Sequence, residues 1–541
     1  MTPTWFTLVA LFALTHAERP MVGTPLGQLQ GYHRKSAKRN VFAAFEGIPY
    51  AKPPIGSLRF EPPEPIDPWE GVWNASTIFE CAQTTLMNPE VPQGDEDCLY
   101  LNVYVPRDHP DPSETLAVVV HIHGGLFMYG SGHSYAHPEY FMDENVIFVT
   151  LNYRVGVFGF LSTGDDVISG NNGLKDQVMA LKWVKDNIGS FGGDPSCVTL
   201  HGLSTGGSCV HLHYLSPMSH GLFQRGFSQS GVALNSFVLQ DEAARRARMV
   251  GEGVGCPMGS TNGLVECLKA RPARHILGQM PRFFGYKFLP VAPFGPVLEK
   301  GPKGFVTKNL YYLLATGQVQ DLPWMVSSVT HEGLFPTAFL IKELDFVNKN
   351  WTEMARYILD YNDTLATPMW KTTAQKIRNF YFEDEEISEK NFEKLVKLVS
   401  DRFLVDVDSA IKLQAKSTKS PVYYYQFGFP SDSSTNKTVA HSEDAQYFFY
   451  NMFQKQPTPN ELKIKDVLME MFLSFVKNGK PKIFDIDWPP VKAPDISFVK
   501  IDGFAPEDVK VETLKELGPR DFWKSLGFLE NQNLVLLKDE L

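Results

Sequence analysis

Basic excess, paired metal-binding motifs, internal repeats and a membrane-length apolar stretch near the start are all missing from these 541 residues. The apolar run Trp5 to Leu14 is too short to cross a bilayer, which takes roughly 20 residues, so no transmembrane segment is expected there. Lysine and arginine number 51 against 61 aspartates and glutamates, for a net charge of −10, and no basic cluster offsets it. Such a surface repels phosphate, which argues against a nucleic-acid or anionic-membrane partner. There is no H-E-x-x-H motif and no paired C-x-x-C. His201, His211 and His213 lie near one another, but His211 and His213, two apart on a predicted helix, point to different faces. No metal site and no cofactor is therefore expected. No heptad or low-complexity segment interrupts the chain.

What is present is a pattern of buried strands that run into turns carrying reactive side chains. The run Ser196 to Leu200 leads into Gly202-Leu203-Ser204-Thr205-Gly206, read as a strand, a sharp turn and a helix start. Glycine two residues to either side permits a turn too tight for side chains, and that geometry pushes the Ser204 hydroxyl out above the sheet edge. Leu116 to His123 reads as a second strand and enters Gly124-Gly125-Leu126-Phe127-Met128-Tyr129-Gly130, a loop suited to turning backbone N–H groups toward a substrate carbonyl. Trp324 to Thr330 precedes His331-Glu332-Gly333, so Glu332 is the candidate acid. Pro421 to Phe427, dense in aromatic residues, is followed after a polar loop by Val439-Ala440-His441, and His441 is the candidate base. Serine, acid and histidine come in the order of an α/β-hydrolase. His123 reads as a structural hydrogen-bonding residue, and His331 competes with His441 only weakly because it adjoins the acid.

The strand at Val146 to Val149, the helical pattern Val178, Leu181, Val184, Ile188 and the helices expected at 241–250 and 466–477 extend one α/β series. The expectation is an α/β-hydrolase fold with a large, mostly parallel central sheet flanked by helices, in one domain spanning 18–541 after a leader at 1–17.

Phe45-Glu46-Gly47-Ile48-Pro49-Tyr50-Ala51, Glu96-Asp97-Cys98-Leu99-Tyr100-Leu101-Asn102-Val103, Gly170 to Gln177, Phe191 to Pro195 and Trp488-Pro489-Pro490 carry a resemblance that covers almost all of the mature chain. The sequence resembles the carboxylesterase/cholinesterase family, with an insect-like character. That resemblance implies two-step hydrolysis of a carboxylic ester through an acyl-enzyme, with Ser204 as nucleophile, His441 as general base and then acid, and Glu332 orienting the imidazole. It also implies an oxyanion hole from the backbone N–H groups of Gly125, Leu126 and Thr205, where one such donor is worth about 2.7–4 kcal/mol of barrier. The pairings it implies are Cys81–Cys98 and Cys256–Cys267. Spacing alone leaves the connectivity open, and Cys197 and Cys209 are expected as buried free thiols.

Departures from the pattern sit at the chemistry. Leu203 stands where an acidic or amide residue is usual, Thr205 where alanine is usual, and Leu126 where glycine or alanine is usual in the oxyanion loop. The Cys81–Cys98 interval holds Met87-Asn88-Pro89 and no tryptophan, which argues against choline esters held by cation–π attraction. Phe127, Tyr129, Phe158 and Phe160 are expected near an apolar pocket for an uncharged ester of lipid-like, odorant or xenobiotic type. A slow or inactive binding or sequestering protein of the same fold is the alternative.

The leader ends at Thr15-His16-Ala17, and the sequence closes on Lys538-Asp539-Glu540-Leu541, an endoplasmic-reticulum retrieval signal. Together they predict residence in the reticulum lumen, with the retrieval receptor as partner, or secretion if retrieval fails. Sequons at Asn74, Asn350, Asn362 and Asn436 allow N-glycosylation there, and the oxidising compartment suits the cysteines.

Overall fold

The computed structural model describes residues 18–383, 385–432, 437–450, 452 and 455–529. The leader at 1–17, the Asn436 sequon and Lys538 to Leu541 lie outside the described residues. In chain order the strands are β1 (Met21–Thr24), β2 (Gly27–Gln30), β3 (Tyr32–Lys35), β4 (Val41–Pro49), β5 (Val72–Asn74), β6 (Tyr100–Val105), β7 (Leu116–Ile122), β8 (Val146–Leu151), β9 (Gly193–Leu203), β10 (Arg225–Gln229), β11 (Trp324–Val329), β12 (Val422–Phe427), β13 (Ile496–Ile501) and β14 (Val509–Leu514). Strands β1, β2 and β5 form a small sheet, and the rest form one 11-stranded sheet in the order β14-β13-β12-β11-β10-β9-β7-β8-β6-β4-β3. Its centre, from β13 to β8, is parallel, while β14 on one side and β6, β4 and β3 in turn on the other each pair antiparallel with the preceding strand.

A parallel sheet must be covered on both faces, because its crossovers place helices there. Strand β7 shows how: Val118, Val120 and Ile122 enter one core cluster, and Ala117 and Val119 enter the other. Each fully buried aliphatic side chain contributes about 1.5–3 kcal/mol, so a register slip of one residue would exchange the two faces at prohibitive cost. A third cluster, with Leu344, Trp351, Ile377, Leu395 and Trp523, joins the helices of the region after β11. The 26-residue helix Phe392–Ser417 spans clusters, giving Leu395 and Val399 to this one and Val407 and Ile411 to the sheet core.

Sequence patterning located these elements but shortened several. The helix expected at 466–477 runs from Pro459 to Asn478. Thr458 caps it, its hydroxyl accepting the Glu461 N–H while the Glu461 carboxylate accepts the Thr458 N–H, and proline fills the first helical position. Gly479, at φ 70°, ends it. The cap, and not the apolar periodicity, sets the start.

Ser204 sits between β9 and the helix Thr205–Leu215 with φ 58° and ψ −126°. The flanking glycines make this turn possible. A Cβ on Gly202 would lie 2.1 Å from the Gly206 carbonyl oxygen, and one on Gly206 would lie 2.1 Å from that of Ile122. Gly206→Ala should therefore destabilise the protein by more than about 3 kcal/mol in urea unfolding, or prevent folding. Gly189→Ala, where a Cβ meets nothing within 4 Å, should be neutral or stabilising by up to about 1 kcal/mol. Equal losses for the two would contradict this steric account.

Candidate active site

The loops after β9, β11 and β12 meet at the carboxyl ends of the parallel strands, where open α/β sheets place their sites. Ser204 donates its N–H to the Gln229 carbonyl at 2.8 Å, which ties the turn to β10. His331 donates its N–H to the Val439 carbonyl at 3.1 Å and forms an isolated parallel bridge with Ala440. That pairing lays the loop carrying His441 beside the loop carrying Glu332. The His331 ring itself turns aside to the Thr330 hydroxyl at 2.9 Å, so it does not compete for Ser204.

His441 bridges the other two groups. Its Nε2 lies 2.9 Å from Ser204 Oγ and its Nδ1 2.5 Å from Glu332 Oε2. A carboxylate only accepts, so the imidazole carries its proton on Nδ1 and leaves Nε2 to accept from the serine hydroxyl. Glu332 is buried, and its other oxygen accepts from Ser230 Oγ at 2.8 Å and from the Val329 N–H at 2.9 Å. Three donors thus satisfy its two oxygens. Such a relay can take a proton from a hydroxyl as it attacks and return it to a leaving group.

The loop after β7 faces Ser204. No backbone or side-chain acceptor among the described residues takes the N–H of Gly125 or Leu126, and Thr205 opens its helix, where the first N–H groups lack intrahelical partners. Leu126 and Phe127 both adopt positive φ, 59° and 60°, and the Leu126 side chain lines the cavity, so it narrows the site. His123 holds this loop: its Nδ1 donates to the Gly124 carbonyl at 2.7 Å and its ring stacks on Tyr153 at 4.2 Å. Burial pushes its pKa down to about 4, so it stays neutral.

A cavity of about 370 Å³ opens beside Ser204. Its wall is mainly apolar, with Leu203, Phe237, Phe335, Phe403, Phe449 and Met452 among the lining residues. Phe335 and Phe403 flank the His441 ring at 6.1 and 6.0 Å. Of the aromatics expected there, only Tyr129 lines it; Phe127, Phe158 and Phe160 are buried in the main core. Phe158 and Phe160 lie in the short helix Gly156–Phe160, which buries both rings in the core, and composition does not reveal that. One stretch of wall is polar: Arg402 and Asp406, a buried pair 3.1 Å apart on the helix Phe392–Ser417, with Asn235 and Ser236 nearby.

Cys81–Cys98 and Cys256–Cys267 are joined as disulfides. Cys209 is buried, and burial pushes its thiol up to about 12. Cys197 is only half-buried, contrary to expectation, because it lies toward the amino end of β9 beside Arg225. Asn74 is exposed, whereas Asn350 and Asn362 are partly covered, and the Asn362 side chain is engaged by Arg356 and Asp363. Among the described residues no cluster of metal-ligating side chains occurs, and no helix is long and apolar enough to cross a membrane.

With this geometry in view, comparison with known proteins decides the family. Residues 18–515 match the model of the carboxylesterase family. The chain belongs to the carboxylesterase family. It is 38% identical to venom carboxylesterase-6 of Apis mellifera over 96% of this chain and 97% of the relative. It is 36% identical to esterase E4 of Myzus persicae, over 92% and 94% of the two chains. The crystal structure of juvenile hormone esterase from Manduca sexta, with OTFP covalently attached, superposes with a TM-score of 0.81 at 26% identity, covering 94% of this chain and 99% of that one. The protein is accordingly a carboxylic ester hydrolase with an α/β-hydrolase fold.

Ser230, Gln229 and Asp444 are neighbours of the site that sequence reasoning passed over. The available signals were Ser230-Gly231 directly after a strand and Asp444 three residues beyond His441. Asp444 is fully buried, and desolvation raises its pKa to about 7, with Glu332 adding to the rise and Gln229 and His441 opposing it. A raised carboxyl favours the protonated fold, so the stability it carries is full below the unfolded value of 3.8 and falls away as pH rises toward 7. Asp444→Asn should remove that loss. Its stability relative to wild type, from urea unfolding, should grow by a few kcal/mol between about pH 4 and pH 8. A difference independent of pH would contradict the assignment.

Proposed function

We propose that Ser204 is the nucleophile, His441 the general base and then acid, and Glu332 the group that fixes the imidazole tautomer and steadies the imidazolium. The observation that carries this reading is the continuous contact Ser204 Oγ to His441 Nε2 and His441 Nδ1 to Glu332. Ser204 attacks the ester carbonyl, His441 takes its proton and passes it to the leaving alkoxide, and water then repeats the cycle on the acyl-enzyme. The N–H groups of Gly125, Leu126 and Thr205 stabilise the tetrahedral oxyanion.

The substrate is an uncharged, largely apolar carboxylic ester. The apolar wall supports this, because burying a charged group there would go uncompensated over most of its surface. Leu126 narrows the space beside the carbonyl and favours a slim group on that side. The leader and the described chain from residue 18 are read as a signal peptide and one catalytic domain, and Lys538 to Leu541 as the address for the reticulum lumen. The two disulfides suit that route.

Ser204→Ala should lower kcat on a chromogenic ester by about six orders of magnitude and abolish fluorophosphonate labelling, while the urea-unfolding midpoint is retained. Wild type should turn over continuously. A single stoichiometric burst would establish the sequestering protein instead, and persistent turnover by the alanine variant would remove Ser204 from the mechanism. Deleting residues 538–541 should move the protein from the cell interior to the medium, and equal secretion of the full-length chain would count against retrieval.

A further inference from the structure

The face of the sheet beneath Ser204 carries a line of polar side chains that the reaction does not use. His121 in β7 pairs in register with His201 in β9, and their Nδ1 atoms lie 3.1 Å apart in the buried core. His201 Nε2 lies 3.1 Å from Gln229 Oε1. With its Oε1 on His201, the Gln229 amide turns its nitrogen side to Asp444, whose proton affinity it lowers. Around this line stand the rings of Phe227, Phe448, Phe449 and Phe472.

The direction of every donor in the line follows from its end. An ionised Asp444 attracts the amide N–H₂ of Gln229, which turns the amide oxygen toward His201. His201 must then carry its proton on Nε2. Burial pushes His201 down to about 4 and His121 well below its ordinary value, so both rings are neutral. His201 Nδ1 is therefore bare, and His121 Nδ1 must donate to it. What remains is His121 Nε2, a lone pair without a proton.

His121 lines the substrate cavity, and with its Nδ1 turned to His201 the Nε2 is the ring nitrogen left to face it. Phe449 packs against the His121 ring at 4.8 Å, and Leu203 and Met452 line the same cavity. We infer that His121 is a specificity-determining hydrogen-bond acceptor, and that the ester this enzyme takes carries a hydroxyl on its otherwise apolar body. The inference rests on the Ser204 cavity being the reaction site. A neutral hydroxyl fits best: an ammonium would lose its hydration against an apolar wall, and a carboxylate would face a lone pair.

The test uses the full-length enzyme at pH 8.5, where Asp444 is ionised. Two series are assayed: nitrophenyl esters of hydroxyalkanoic acids against their deoxy parents, and monoesters of diols against those of matching alcohols. In one series, at one hydroxyl position, kcat/KM for the hydroxylated member should exceed its parent by about threefold to tenfold. In His121→Phe that ratio should fall to about one whatever the absolute rate, and in His121→Gln, whose amide oxygen keeps an acceptor, part of it should return. No hydroxyl preference at any position in wild type overturns the inference, as does its persistence in His121→Phe. Failure of the underlying reading looks different: fluorophosphonate would label a residue other than Ser204.

Discussion

A single backbone constraint organises this molecule: the turn at Ser204 must hold a serine in a conformation that L residues rarely adopt. Such a residue costs on the order of 1–3 kcal/mol and persists only where its surroundings overdetermine it. Here the Gln229 carbonyl receives the Ser204 N–H, the Ser204 carbonyl receives the Ser208 N–H, and the two flanking glycines allow backbone to pack at atomic contact. The parallel sheet supplies the counterforce. With β7 and β10 paired to β9 on either side, the strand end cannot relax without breaking register. Strain and stiffness are therefore one arrangement, and the exposed hydroxyl is its product.

Glu332 and His441 depend on a second device, backbone pairing between two loops. Residues 331 and 440 bridge as a short extension of the sheet, although neither belongs to a strand. The bridge leaves Glu332 and His441 pointing toward the same side. Buried carboxylates are stabilised by hydrogen bonds more than by distant charge, and Glu332 has Ser230, Val329 and His441 as donors. Three loops far apart in sequence thus arrive at the site because the sheet delivers them.

Patterns of short range were legible in the sequence, and arrangements of long range were not. The strand ends carrying Ser204, Glu332 and His441 were marked by apolar runs that stop at polar turns, and the structure brings all three side chains together. The pocket was read less well. Phe127, Phe158 and Phe160 are aromatic and close in sequence to the loop after β7, yet they serve the core, while Phe335, Phe403 and Phe449 line the cavity from elements that sequence proximity does not connect to it. Local patterning specifies which way a side chain leaves its own element, and only the assembled fold specifies what stands opposite. Asp444 shows the same limit: its neighbours Gln229 and Tyr425 come from β10 and β12.

The departures from the family pattern then acquire a common sense. An acidic or amide side chain before Ser204 would place polarity directly beside the imidazole. Leu203 removes it there and packs with Phe227 and Phe449 in the lower core cluster. Polarity reappears at His201, two residues back on the same strand, and at His121 on the neighbouring β7, both buried among the same rings. A neutral imidazole pair can occupy such a core because both nitrogens of His201 and the Nδ1 of His121 are matched to partners, whereas an isolated carboxylate would have to be desolvated without one. The site exchanges a charge next to the reacting atoms for a directed lone pair farther along the cavity. An apolar substrate would lose little attraction by that exchange, and a hydroxyl group placed to meet His121 would be distinguished from the hydrogen that replaces it.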